Sequence, residues 1–268
     1  MTAISTLFTN SCTVHASDSL LTVGKKDGTF EPKEFRKTKI VSIERYRGAM
    51  SYWGLASYGS FSTYDWLCSQ RGKALTLSAE EYATFIVTGL NEVYRKLGLL
   101  TNPHAGLGIH FSCYEFIDNQ WMPELFLITN YKNLNYEVGS SGFHYSRETY
   151  KTIFGSDSNT DDSNAESRKK VKQYFDEVGL AWFNNGDPVL FNPAANALFS
   201  AFMTLKDRGN LKQPFGPKEC RDLARRPVEI VKNVQRDFCS DGKKIVGGKV
   251  HDLSITPRCV YESGTGDT

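Results

Sequence analysis

The chain has 268 residues, of which 40% are hydrophobic, and its formal net charge is +2. This length and composition predict one domain, residues 1–268, with a single large core. Acidic and basic residues are scattered, which argues against a nucleic-acid-binding surface. Because we find no apolar run of about eighteen residues and no leader-like start, we expect no membrane association and a cytoplasmic location. The six cysteines are isolated and are expected to be reduced.

The first part of the chain is predicted to form two successive β-hairpins. The runs TAISTLF and CTVHAS flank the polar turn Thr9-Asn10-Ser11, and the runs KIVSI and GAMSYW flank a second turn at 44–47. Residues 24–37, between the hairpins, are polar and rich in Gly and Lys. We interpret this segment as a connection.

A block of helix and then a block of strands follow. Ser78 and Glu81 form a capping box, and apolar residues then repeat at helical spacing until Gly98. A shorter helix is predicted within 61–71. Residues 106–132 are predicted to form two strands. The first alternates apolar and polar residues, and the second is apolar on both faces.

The last part of the chain is predicted to contain three helices and a closing strand pair. A flexible loop at about 155–164 precedes helices near 166–178 and 192–208 and a third from Pro217, kinked or restarted at Pro227. KKIVGG and KVHDLSITP are the closing strands, and a tail begins at about 260. This order predicts an α+β fold, a four-layer αββα sandwich of two antiparallel sheets flanked by helices, although periodicity alone also permits other α+β arrangements.

The start of the chain carries the chemical signal. Thr2 directly follows Met1, and Ala3 is small, which favours removal of the methionine. A threonine at a true N-terminus has its own α-amino group as an adjacent general base, with an ordinary pKa of about 7.7–8.0. This combination is the threonine form of N-terminal nucleophilic catalysis.

The segment TAISTLFTNSCTVHASDSLLT resembles the opening of proteasome β-subunits and their bacterial relatives, which are N-terminal-nucleophile (Ntn) hydrolases. The resemblance implies that Thr2 is the nucleophile, Asp18 the buried acidic residue, and Thr22 the residue whose backbone pairs with an extended substrate. Lys39, just before KIVSI, is similar to the family's catalytic lysine. The resemblance therefore implies a buried Asp18–Lys39 pair that lowers the pKa of the nucleophile.

The sequence also departs from the family pattern at two places. Leu20 stands where the family commonly has a basic residue, and the family's Gly-Gly is replaced by a segment that includes Tyr52, Trp53 and Gly54. We expect a backbone N–H within Tyr52–Gly54 to stabilise the oxyanion. Which of the three serves is left open.

Other candidate site residues carry less information. A supporting serine is sought within 139–142, and a supporting acid at Asp222 or Asp237. The five histidines lack metal-ligand spacing, so we expect no metal and no other cofactor. One aromatic group could line a substrate pocket, but we favour core packing for it. Its members are Tyr46, Tyr52, Trp53, Tyr58, Phe61, Tyr64 and Trp66.

The predicted function is a threonine-type hydrolase of amide or peptide bonds, acting on a peptide or small amide after Met1 is removed. One alternative is a catalytically inactive proteasome-like subunit that keeps Met1 and has a structural or interaction role. A second alternative is an Ntn-type acyltransferase. The resemblance further implies a homo-oligomer, and it leaves the ring size and any ATP-dependent unfoldase partner open.

Overall fold

The structure, a computed structural model, describes residues 3–24, 30–34, 38–46, 48–117, 119–133, 136–149, 165–186, 190–211, 216–239, 246–257 and 260–262. In these ranges the strands are β1 (Ile4–Phe8), β2 (Thr13–Asp18), β3 (Leu20–Gly24), β4 (Phe30–Glu34), β5 (Ile40–Ile43), β6 (Gly48–Tyr58), β7 (Phe61–Ser62), β8 (Leu107–Ile117), β9 (Gln120–Thr129), β10 (His144–Arg147), β11 (Ala181–Asn185), β12 (Val250–Ile255) and β13 (Val260–Glu262). The helices are α1 (Thr63–Gln70), α2 (Ala79–Lys96), α3 (Ala165–Val178), α4 (Phe191–Asp207) and α5 (Pro217–Phe238), with short 3-10 helices at Glu44–Tyr46 and Arg71–Leu75.

The strands form two sheets. The small sheet has the order β11-β1-β2-β12-β13, and its strand pairs are antiparallel. The large sheet follows the path β10-β9-β8-β6-β3-β4, with β5 and β7 also paired to β6. Its pairs are antiparallel except β3 with β6, which run parallel. The chain passes from the small sheet to the large one through a single residue, Ser19.

The predicted first hairpin is confirmed. β1 and β2 pair in register, with Ile4 opposite Ser17. The turn closes because the Thr9 backbone N–H donates to the Cys12 carbonyl at 2.8 Å, and the Thr9 hydroxyl oxygen accepts from the Cys12 N–H at 2.9 Å. Side chains at successive positions point to opposite faces, so residues 4, 6 and 8 share one face of β1.

Each sheet buries its outer face under helices. On the large sheet, Tyr82 and Ile86 of α2 lie in an apolar cluster with Phe111 of β8, and the Tyr82 and Phe111 rings meet at 5.5 Å. On the small sheet, Leu7 is buried in a second cluster with Phe202 of α4, which also includes residues of α5. These contacts give the predicted four-layer order of helices, sheet, sheet and helices.

The seam between the two sheets carries a polar network. Thr6 and His15 of the small sheet face Ser51, His110 and Ser112 of the large sheet. His110 Nδ1 lies 2.8 Å from the Thr6 hydroxyl, while His15 Nδ1 and Nε2 lie 2.7 and 2.5 Å from the hydroxyls of Ser51 and Ser112. Because hydrogen bonds are directional, these contacts fix how one sheet sits on the other.

Both seam histidines are held neutral. Burial, with a smaller contribution from His110, lowers the pKa of His15 well below its ordinary value, and burial lowers the pKa of His110 to about 3. The side-chain amide of Asn185 lies 2.7 Å from His110 Nε2. The prediction that the histidines are structural or exposed is therefore confirmed for these two.

Two segments differ from the sequence-based expectation near the start. Residues 24–37, interpreted as a connection, include β4, which pairs antiparallel with β3. Polar composition concealed this pairing, because strand propensity depends on cross-strand neighbours more than on local sequence. The predicted turn at 44–47 is a 3-10 helix over Glu44–Tyr46.

The C-terminal elements also differ in their pairing. Of KKIVGG, residues 243–245 lie outside the described residues, and β12 pairs instead with β2 and β13. Residues 260–262, expected to begin a tail, form β13. Pro227 lies inside a continuous α5, so that helix does not restart there. The expected loop at 155–164 lies outside the described residues.

Candidate functional site

Asp18 and Lys39 form a fully buried ion pair where the two sheets meet. Lys39 Nζ lies 2.7 Å from Asp18 Oδ1, and both side chains are 0% exposed. The Lys39 ammonium also donates to the Leu20 carbonyl. Burial lowers the pKa of Lys39, and the charge of Asp18 partly offsets this effect. The structure thus brings two of the three predicted catalytic residues together.

Strand arrangement explains how the lysine reaches the aspartate. β5 pairs with Gly48–Ser51 of β6, and β3 pairs further along the same strand, with Leu55–Tyr58. Lys39 precedes β5, and Leu20 begins β3, directly after the chain crosses from the small sheet. The lysine side chain therefore projects toward the end of β2, where Asp18 lies.

Backbone N–H groups complete the shell around Asp18. Oδ1 accepts from the Ala3 N–H at 3.1 Å, and Oδ2 accepts from the N–H groups of Gly247 and Leu20 at 3.0 and 3.3 Å. A carboxylate with this many donors is held in one orientation. The segment before β12 thus contributes Gly247, a contact that sequence reasoning missed, since no local pattern marks a long-range N–H donor.

Thr2 lies outside the described residues. Its neighbour Ala3 is buried, and the peptide nitrogen that joins Ala3 to Thr2 donates to the same Asp18 oxygen that binds Lys39. The described chain therefore begins one peptide bond from Thr2, at the ion pair.

Thr22 lies in β3 between two strands. Its backbone is in register with Pro32 of β4 on one side and with Leu55 of β6 on the other, where the register then shifts. An extended substrate pairing with Thr22 would have to replace one of these contacts. Pro32 has no N–H, so β4 offers fewer hydrogen bonds at this point.

Tyr52, Trp53 and Gly54 lie consecutively on β6 but face different surroundings. The Tyr52 N–H donates to the Lys39 carbonyl at 3.3 Å, and its phenol is buried in the core beneath the helices, where burial raises its pKa. Gly54 has φ +91°, and a Cβ there would lie 2.1 Å from the Gly106 carbonyl oxygen. Only glycine fits at this position.

Trp53 points away from the core that holds the other members of the predicted aromatic group. Its ring stacks on Tyr131 at 6.3 Å and meets His110 and Tyr136 edge-on at 5.2 and 6.4 Å. A Cβ on Gly108 would lie 2.0 Å from the Trp53 ring, so that glycine makes room for it. The other six aromatic residues pack in or against the large-sheet core, as predicted.

Two further polar groups lie beside the ion pair and were missed from the sequence. Ser17 and His251 are cross-strand neighbours on β2 and β12, and within the described part of the chain Ser17 Oγ and His251 Nε2 have no hydrogen-bond partner. Burial and the Lys249 charge lower the pKa of His251, and Lys39 adds to this effect. His251 lies in the closing strand, where the sequence shows only an alternating pattern.

The candidates for supporting residues do not reach the ion pair. Ser140 and Ser141 are exposed. Asp222 is bound to Lys218, and Asp237 to Arg236, on the surface of α5.

Among the described residues no group of three or more His, Cys, Asp or Glu side chains could hold a metal ion. In the same ranges we find no helix with the length and apolarity needed to cross a membrane.

Comparison with known proteins supports the fold. No protein-family model matches the sequence, and no curated protein matches it. Solved structures do match, among them Anbu (ancestral beta-subunit) from Yersinia bercovieri, with a TM-score of 0.53 and 13% identity over 99% of this chain and 88% of the Anbu chain. The fold is proteasome-like.

The proteasome-like architecture confirms the predicted four-layer sandwich. At 13% identity the similarity to Anbu concerns the fold alone. In this fold the Asp18–Lys39 pair lies at the junction of the two sheets, beside the first residue of the described chain. Its chemistry must be argued from the residues themselves.

Proposed function

We propose that the protein is a threonine-type amide or peptide hydrolase whose nucleophile is Thr2, exposed by removal of Met1. One observation carries the proposal: a single buried oxygen, Asp18 Oδ1, accepts from both the Lys39 ammonium and the Ala3 N–H. The segment that begins at Ala3 is thus anchored to a buried ion pair. Burial of two charges is costly, and groups with shifted pKa values cluster at functional sites.

In the proposed reaction, the Thr2 hydroxyl attacks a substrate carbonyl carbon while the neutral α-amino group accepts the hydroxyl proton. The positive charge of Lys39 favours the developing alkoxide. The amine leaving group departs with that proton, and water then hydrolyses the acyl-enzyme to a carboxylic acid and regenerates Thr2. Asp18 holds Lys39 in position and balances its charge.

For the oxyanion, we propose a donor among the N–H groups of the expected segment that do not bind the Lys39 carbonyl. The Tyr52 N–H donates to the Lys39 carbonyl, which leaves Trp53 and Gly54 as the candidates within the expected segment. Gly54, whose backbone conformation excludes other residues, is the glycine present in the segment that replaces the family's Gly-Gly. Thr22 stays a prediction for substrate pairing.

The first test is the intact mass and N-terminal sequence of untagged protein. We expect a chain that lacks Met1 and that reacts covalently with a β-lactone or vinyl sulfone probe at Thr2. Thr2→Ala should abolish labelling, and Lys39→Met should slow it at least about 100-fold. Thr88→Ala, at an exposed helical threonine, is the matched control and should label normally.

Retained Met1 would remove the amine base and refute the hydrolase proposal. The alternative of a structural or interaction subunit would then apply, and the observation in its favour is the replacement of the family's Gly-Gly by a segment that contains Tyr52 and Trp53. If Thr2 is exposed and labelled, adding amine acceptors and analysing the products separates acyl transfer from hydrolysis.

We also propose that the protein self-associates. Ile230, Val234 and Phe238 repeat every four residues on α5 and are 40%, 45% and 84% exposed, so they share one helix face. The matching Anbu chain is described as a subunit. Light scattering coupled to size exclusion should show an oligomer that Val234→Glu weakens, whereas a monomer at micromolar concentration would contradict this proposal.

A further inference from the structure

A surface cavity of about 300 Å³ lies between two short 3-10 helices. On one side are the end of β5 and the helix Glu44–Tyr46, and on the other side is the helix Arg71–Leu75. This volume is at the lower end of the range for small-molecule pockets, so the cavity has room for one small ligand. The lining residues that bear on binding are Ile43, Glu44, Arg45, Arg71, Ala74 and Leu75.

The two arginines of the cavity are held in place by neighbouring groups. Arg45 Nη1 donates to the Leu75 carbonyl, and its guanidinium lies over the Tyr46 ring at 5.9 Å. Arg71 Nη2 lies 3.5 Å from Cys68 Sγ. Each of these hydrogen bonds uses one of the five N–H donors of a guanidinium, so the remaining donors can bind a ligand. Because both side chains are already positioned, a ligand loses less affinity to their ordering.

Charges of both signs line the cavity without neutralising each other. Within the ranges that the structure describes, Glu44, Arg45 and Arg71 form no ion pair. An inorganic anion would meet the carboxylate of Glu44 as a repulsive neighbour. A ligand with one carboxylate and one ammonium group can instead complement both the cationic and the anionic side chains.

The rest of the cavity wall is largely aliphatic. Ile43 and Ala74 are buried, while Leu75 is 63% exposed. Aliphatic carbon of a ligand that covers these side chains leaves water, and this favours binding in proportion to the area buried. The cavity therefore suits a ligand with an aliphatic group next to its charged groups.

We propose that the cavity binds a free α-amino acid with a branched aliphatic side chain, such as leucine. The ligand carboxylate accepts from the guanidinium groups of Arg45 and Arg71, and the ligand ammonium group donates to Glu44. The ligand side chain lies against Ala74 and Leu75. The C-terminus of a peptide shares the carboxylate and the side chain but lacks the ammonium group, so Glu44 distinguishes the two.

The cavity is separate from the Asp18–Lys39 ion pair. Ile43 ends β5 and Lys39 directly precedes that strand, and four residues of strand span about 13 Å. Amino-acid binding therefore does not rest on the proposed hydrolase activity. Thr2→Ala, which removes the proposed nucleophile, should bind leucine like the wild type, so the two proposals can fail separately.

The test is isothermal titration calorimetry of the full-length protein with defined probes. We expect saturable binding of L-leucine at one site with a Kd below about 1 mM. N-acetyl-L-leucine lacks the positive charge and L-leucinamide lacks the negative charge, so both should bind at least about tenfold more weakly. L-alanine should also bind more weakly, because it loses most of the aliphatic contact.

Substitutions in the cavity assign its charges. Arg71→Gln should weaken leucine binding at least about tenfold, and Arg95→Gln, at an exposed arginine of α2, is the matched control. Glu44→Gln should give leucine and N-acetyl-leucine similar affinities, because the ammonium group then has no anionic partner. Three results would each overturn the proposal: no saturable binding of leucine by the wild type, equal wild-type affinities for leucine and N-acetyl-leucine, or unchanged leucine affinity in folded Arg71→Gln.

Discussion

Replacing Lys39 by Met removes the positive charge of the buried ion pair and nearly preserves side-chain volume. Both partners are 0% exposed and their charged atoms are 2.7 Å apart. The substitution leaves a buried carboxylate without its cation and the Leu20 carbonyl without that donor. Breaking a buried pair in this way costs about 3–5 kcal/mol.

The three backbone donors to Asp18 remain, which places the expected loss toward the lower end of that range. For a chain of this size, 3 kcal/mol corresponds to a fall of about 5 °C in the melting temperature. Differential scanning calorimetry and urea unfolding followed by circular dichroism measure both quantities. The double variant Asp18→Asn/Lys39→Met should lose less than the sum of the two single losses, because the second change removes the uncompensated charge.

Lys132→Met is the matched control for burial. Lys132 and Glu137 have nearly the same separation, 2.8 Å, but their side chains are 58% and 54% exposed. Water screens such a pair, so the melting temperature should change by less than about 1 °C. Equal effects of the Lys39 and Lys132 substitutions, or additive losses in the Asp18/Lys39 cycle, would refute the argument.

Two further predictions concern the seam and the large sheet. Because the pKa values of His15 and His110 are lowered from 6.5 on folding, the unfolded state binds more protons below pH 6.5. Below pH 6.5 the free energy of unfolding should therefore fall as the pH falls, by up to about 1.4 kcal/mol per pH unit for each histidine. His110→Asn should make the plot of urea-derived unfolding free energy against pH less steep. An unchanged slope would contradict the role of His110 as a buried neutral group. At Gly54, which has φ +91°, an added Cβ would meet the Gly106 carbonyl, so Gly54→Ala should lower the free energy of unfolding by at least about 3 kcal/mol. Gly59→Ala, at φ +59° with open space around it, should lower it by only about 1–2 kcal/mol. Equal melting temperatures of the two variants would disprove the steric reason.

The sequence was most informative where a short local pattern matches the structure that tertiary packing then stabilises. The β1–β2 hairpin could be predicted because two short β-like runs flank a polar turn, which signals a hairpin locally. α2 could be bounded because Ser78 and Glu81 form both bonds of the capping box in the structure. The Asp18–Lys39 pair was expected only through resemblance to a family, since neither residue type by itself indicates burial.

The missed elements are those whose partners lie far along the chain. β10 and β11 have four and five residues, mostly of intermediate burial, so their alternation is short and weak. β11 forms by pairing with β1, more than 170 residues away. The polar seam was missed for the same reason, because His15 and Ser112 become partners only when the sheets stack.

The core of the molecule is divided by its own sheets. The apolar cluster beneath α2 and the cluster beneath α4 and α5 lie on opposite outer faces and have no residue in common. Between them, the two sheets meet through the polar seam and through two smaller apolar clusters. A substitution that changes side-chain volume in one outer cluster therefore shares no apolar neighbour with a substitution in the other. The effects of two such substitutions on the free energy of unfolding should add within about 0.5 kcal/mol. Each helical layer can consequently diverge in evolution separately, while the seam constrains both sheets to one mutual orientation.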